Sequence, residues 1–328
     1  MVIASAPGKV TLFGEHAVVY GEPAIVMAIN KRAYVEVNLR NDSKIRVIAP
    51  DIVIKGVVLT FDQNIFSVES EVASARSELS YIVKAIELIA KNYGVFKGAD
   101  IRVWSEMPVG AGLGTSAAIT IATIKAYSEA TGLDLDKKSI AVLGWQTERE
   151  VQGTASPMDT SIATYGGIIQ VQPLNNDINI ERLKVPMKLP IIIGYVSREY
   201  KTKDMVAKVR LLKEKYGNII NPIISAIGQV SRKARISLES GDLKEVGELM
   251  NINHGLLEAL GVSTKQLNDM VYAARKAGAI GAKLTGAGGG GCIIALTLEK
   301  HESVSLAIKS VGAQTLESDI SEKGVLIE

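Results

Sequence analysis

Ala33, Tyr34, Val35, Glu36, Val37, Asn38 and Leu39 place apolar and polar side chains in turn, which is the period of a strand with one buried face. From Val10 to about Ala49 this alternation, rich in β-branched residues, predicts antiparallel strands. The period then changes. Leu79, Ile82, Val83, Ile86, Ile89 and Ala90 fall on one side of a helix over residues 77–93, with Ser77 and Glu78 as its start signal. Residues 101–104 read as a short strand and residues 115–130 as a second helix stopped by Gly132-Leu133-Asp134. A third helix runs through Ile140, Leu143 and Trp145 to about Val151, and residues 166–172 return as a strand. Strands, then helices, then a strand predict α+β layering.

Between Pro173 and Pro186 the apolar pattern is interrupted by Asn175-Asn176-Asp177 and scattered charges. A boundary there divides the chain into units of residues 1–184 and 185–328. The second unit opens with a strand over residues 190–196, followed by helical patterns across 203–216, 221–239, 242–260 and 264–277. Residues 279–284, a glycine cluster, a strand over 292–298, a helix over 301–311 and a final strand near Val325 complete it.

Composition narrows the chemistry. A chain of 328 residues that is 47% hydrophobic is long and apolar enough for two cores. Thirty-seven basic against 35 acidic side chains leave a net charge of +2, no footprint for a nucleic acid, so any anion bound is small. The single Cys292 excludes an internal disulfide and a multi-cysteine zinc site, and its apolar setting predicts a buried core residue. No apolar run is long enough to span a bilayer and no basic-then-apolar leader opens the sequence; a cytoplasmic protein without membrane contact is expected.

Four segments carry candidate chemistry. Glu106-Met107-Pro108-Val109-Gly110-Ala111-Gly112-Leu113-Gly114-Thr115-Ser116 is a glycine-rich turn opening a helix, the construction of an anion hole. An unliganded strand-to-helix turn is the alternative. Residues 283–292 match G-x-G-x-x-G at Gly286, Gly288 and Gly291, but a strand follows where a dinucleotide site requires a helix. That cluster is either a structural turn or a close approach to a ligand. Lys9, Glu15 and His16 stand among glycines in an apolar strand and turn, as polar site residues or as a solvated hairpin edge. Glu148 precedes a helix end near Gly153, and Asp159 follows a turn at Ser156-Pro157; they read as metal ligand and base, or as ordinary surface acids. Walker A, H-R-D and D-F-G motifs are all absent.

In this order the segments resemble the GHMP kinase superfamily, and within it the branch that phosphorylates mevalonate. The block from Pro7-Gly8-Lys9 to Gly14-Glu15-His16-Ala17-Val18-Val19-Tyr20-Gly21 is similar to the family's acceptor motif, Ser105 to Ala118 to its ATP-phosphate loop, and Lys283 to Cys292 to its third motif. The resemblance implies an α+β fold of two domains, ribosomal protein S5 domain 2-like then ferredoxin-like, with the site in the cleft between them. It implies ATP as co-substrate, Mg²⁺ as cofactor, mevalonate as acceptor and a homodimer. By position, Asp159 matches the general base and Lys9 its partner; Ser116 and Glu148 match the Mg²⁺ ligands. Pro108, Gly110, Ala111, Gly112, Leu113, Gly114, Thr115 and Ser116 match the ATP site, and Glu15, His16, Thr202, Gly286 and Ala287 the acceptor side. Residues 8–21 are the part read as choosing the acceptor. Two departures stand out: Thr115 occupies a place where serine is common, and Ala155-Ser156-Pro157-Met158-Asp159-Thr160 alters the turn before the base. Homoserine or phosphomevalonate as acceptor, or a silent ligand sensor on the same fold, are the rival readings.

Overall fold

The computed structural model describes all residues except 50–53, 63–64, 71–74, 109, 154–155 and 175–176, and backbone alone at 54–62, 65–70, 75–78, 174 and 177–178. The spine of the first sheet is an antiparallel pair, β1 (Val2–Phe13) and β2 (Ala24–Leu39), with Lys9 opposite Ala28 and register shifts after Pro7 and after Thr11. β2 is long enough for two more partners, β6 (Ala99–Ser105) along its second half and β7 (Ile168–Leu174) along its first. β3 (Lys44–Ala49) runs parallel to β6, and β4 (Ile54–Asp62) and β5 (Ile65–Ser70) extend that edge.

One face of this sheet is covered by α1 (Ala75–Tyr93), α2 (Thr115–Thr131), α3 (Lys137–Gln152) and α4 (Met158–Tyr165). Small and apolar residues let α2 be buried along most of its length, on β1 and β2 beneath α1 and α3. Helix α4 corrects the sequence reading, which had only a turn after Gly153. Its polar residues mask it: Thr164 Oγ1 donates back to the Thr160 carbonyl at 2.7 Å, so a threonine-rich turn is satisfied inside the core. The 173–186 stretch, read from sequence as an interruption of the apolar pattern, contains a strand. β8 (Asp177–Leu183) pairs there with β7, its polar positions belonging to an outward face; Asn175 and Asn176 lie outside the described residues.

The second sheet has the order β10 (Gly281–Thr285), β11 (Gly290–Leu296), β9 (Ile191–Arg198), β12 (Gln314–Ser318), all antiparallel. Its helices are α5 (Thr202–Lys215), α6 (Gly217–Ser240), α7 (Leu243–Ala259), α8 (Lys265–Lys276) and α9 (His301–Ser310). The chain then crosses back: β13 (Leu326–Ile327) pairs with β1 of the first sheet. Arg32 holds this tail, its guanidinium donating to the Gly324 carbonyl at 2.6 Å. Among the described residues no helix is long and apolar enough to cross a membrane.

Candidate active site

Lys9 ties the glycine-rich turn to β1. Its backbone N–H donates to the Leu113 carbonyl at 2.7 Å, and its side chain passes over Gly114, where an added Cβ would lie 2.8 Å from Lys9 Cγ. Gly114 caps α2 in the left-handed region at φ 75°, with no side-chain cap and no acidic residue in the helix's first turn. Nothing on the helix's own first turn neutralises its positive end, and that end belongs to a buried helix, where the dipole is least screened. Pro108, Gly110, Ala111, Thr115 and Ser116 share this turn, with Ser116 in the first helical turn and the Ala111 carbonyl accepting the Cys292 thiol at 2.9 Å.

Asp159 enters from α4. Its Oδ1 lies 3.0 Å from Lys9 Nζ, so two residues far apart in sequence form an ion pair beside the turn. Glu148, at the end of α3, is only 5% exposed, and its carboxyl is pushed up to about 8 by burial first and by the Asp159 charge second, with Lys9 opposing. Two acids sharing one lysine leave a buried carboxylate short of positive charge. That deficit suits a divalent cation, and the donors offered, the Ser116 hydroxyl and the Glu148 carboxylate, are hard oxygens of the kind Mg²⁺ takes together with phosphate oxygens. Among the described residues no group of three or more His, Cys, Asp or Glu could hold a metal by itself.

The acceptor-side residues of the sequence reading gather at the junction of the two sheets. Lys9, Glu15 and His16 are 6%, 3% and 6% exposed, which overturns the solvated-edge alternative. His16, the one described non-glycine residue at positive φ (61°), donates from Nε2 to the Ala287 carbonyl at 2.9 Å, and burial holds its pKa below the usual imidazole range. Thr285 Oγ1 accepts the Thr11 N–H at 2.8 Å and donates to the Thr11 carbonyl at 3.0 Å. The Gly286–Ala287 turn is therefore joined to β1 and its following loop.

Arg198 was not anticipated. It ends β9, donates from Nη1 to Thr202 Oγ1 at 3.0 Å, and lies so close to the glycine-rich turn that a Cβ on Gly112 would sit 2.3 Å from Nη2. Its Nε is buried without a hydrogen-bond partner. The one sequence signal was a charge closing an apolar strand shortly before Thr202.

Residues 80–167 match the family model described as GHMP kinases N terminal domain, and residues 234–314 that of GHMP kinases C terminal. The mevalonate kinase of Thermococcus sibiricus is 45% identical over 332 residues, covering 100% of this chain and 98% of its own. The chain belongs to the mevalonate kinase family of GHMP kinases. Another member, the mevalonate kinase of Pyrococcus furiosus, is 46% identical over 337 residues with coverage of 100% and 98%. The crystal structure of the Methanococcus jannaschii mevalonate kinase has a TM-score of 0.82 at 30% identity, covering 97% of this chain and 98% of that one. Mevalonate kinase likeness thus runs through both sheets, whereas residues 1–39 also match a galactokinase galactose-binding signature.

Proposed function

We propose that this protein transfers the γ-phosphate of ATP to the 5-hydroxyl of mevalonate, giving 5-phosphomevalonate and ADP. The observation that carries the chemistry is the Lys9–Asp159 pair, 3.0 Å apart, at the positive end of α2. Asp159 takes the hydroxyl proton as the acceptor oxygen bonds to the γ-phosphorus and the bond to the bridging oxygen of ADP breaks. Lys9 holds Asp159 in place through their ion pair and offsets the negative charge growing on the acceptor oxygen. Pro108 and residues 110–116 cradle the phosphates, and Arg198, beside Gly112, supplies a second fixed positive charge there. Ser116 and Glu148 would hold Mg²⁺, which would supply charge neutralisation to the phosphates. His16, Thr202, Gly286 and Ala287 frame the acceptor.

The unit boundary is placed between residues 184 and 185, after β8 and before β9, with the tail crossing back. The same proposal has the enzyme acting as a cytosolic homodimer, which sedimentation of the purified protein checks. The deciding assay couples ADP release to mevalonate, homoserine, phosphomevalonate and galactose in parallel. Preferred turnover of any of the last three refutes the acceptor, and ATP binding without turnover on all four supports a sensor instead.

A further inference from the structure

Glu15 and Lys283 are 1% and 0% exposed at their side chains. They belong to different sheets: Glu15 follows β1, and Lys283 sits in the middle of β10. Each oxygen of Glu15 has its own partner, Lys283 Nζ at Oε1 and, from α7, Asn253 Nδ2 at 3.0 Å from Oε2. Lys283 Nζ also donates to the Leu284 carbonyl at 2.6 Å. A carboxylate held in this way is turned into the protein and away from any acceptor. The pair is bracketed by the Thr11–Thr285 exchange on one side and the His16–Ala287 bond on the other.

We infer that Glu15 and Lys283 are a positioning pair that locks the Gly286–Ala287 turn against His16 and β1, so that the acceptor side of the cleft has one register, without either residue touching substrate. Neither half can swing away without leaving a bare charge in a buried interior, which is why an ion pair fixes this junction more sharply than apolar contact does. The glycine-rich turn has its own tie to β1, through the Lys9 N–H on the Leu113 carbonyl. The pair therefore acts on the acceptor and not on the nucleotide. This inference rests on the proposed reaction for its readout.

The test is a double-mutant cycle on the full chain, with Glu15→Gln, Lys283→Met and both together, assayed with ATP and mevalonate. Each single change strands one buried charge and should lower kcat/KM for mevalonate at least about 30-fold, through KM more than kcat, with KM for ATP within about twofold. The double variant removes both charges, lets the introduced glutamine keep the Asn253 bond, and should return to within about fivefold of wild type. Losses that multiply in the double variant, or an unchanged kcat/KM in Glu15→Gln, overturn the pairing. If the single variants do not fold, the double variant decides alone, since a neutral pair should fold and turn over. A wild type idle on mevalonate refutes the proposed reaction and not the pair; the cycle is then read on urea midpoints, where rescue supports it and additive loss refutes it.

Discussion

Replacing Glu148 by Gln should stabilise the metal-free protein while disabling it. The native carboxyl titrates near 8 against an ordinary value of 4.5, because it is buried and faces the Asp159 charge. Below 4.5 both folded and unfolded chains hold this proton, and the group has no effect on stability. Above that value the unfolded chain releases the proton and the native protein does not, so folding loses about 1.4 kcal/mol per pH unit. The loss reaches about 3 kcal/mol at pH 7 and levels off above pH 8, where the native group ionises too. Glutamine keeps the volume and never ionises.

Urea unfolding of both proteins in chelator, at steps between about pH 5 and pH 9, reads this directly as a gap that opens with rising pH. Adding Mg²⁺ with a non-hydrolysable ATP analogue should narrow the gap, because the cation takes the place of the proton on the wild-type carboxylate alone. Activity of Glu148→Gln should fall at least about 100-fold. A gap independent of pH, or a variant less stable than wild type at pH 8, would show that Glu148 is not the buried, charge-starved acid described above.

Asp159→Ala should lower kcat by about three orders of magnitude or more with a cooperative unfolding transition retained; a near-normal kcat removes Asp159 from proton transfer. Gly112→Ala sets a Cβ 2.3 Å from Arg198 Nη2 at a φ of +88°, so KM for ATP should rise at least about tenfold, and an unchanged KM would mean that the glycine turn does not hold the phosphates. Cys292, 1% exposed with its thiol pushed up to about 12 chiefly by burial, should ignore a thiol reagent at neutral pH in the native protein and react fully in denaturant; quick labelling of the folded enzyme would contradict its place against Ala111.

What could be read from sequence was local. The glycine entry, the run of small and apolar residues and the stop at Gly132 fixed α2 to within a residue or two, since these signals lie inside one short window. Helix α4 was hidden because its threonines look like loop residues until their hydroxyls are seen bonded to carbonyls one turn back. β8 and β12 are strands with polar outer positions, which a search for apolar runs passes over. Arg198 is one arginine among many in the sequence; its meaning comes from Gly112, on another sheet's loop, and no spacing rule connects the two. Without the resemblance Asp159 read as a base or as a surface acid, and the structure gives it weight by setting Lys9 beside it.

The acceptor is the instructive case. Residues 8–21 were read as naming it, yet the ionisable groups of that block are largely spent on the protein itself. Lys9 pairs with Asp159, Glu15 with Lys283 and Asn253, and His16 gives its Nε2 proton to Ala287. A block whose charges are used to build a frame suits any acceptor that needs the same frame. A galactose-binding signature matching residues 1–39 of a chain 45% identical to a mevalonate kinase is then no contradiction. Thr202 and Arg198, joined at 3.0 Å, lie outside that block, and their replacement tests whether discrimination between mevalonate and a sugar falls there. The case for mevalonate therefore comes from identity along the whole chain, while the N-terminal block contributes Lys9 to the ion pair with Asp159 on which the proposed proton transfer rests.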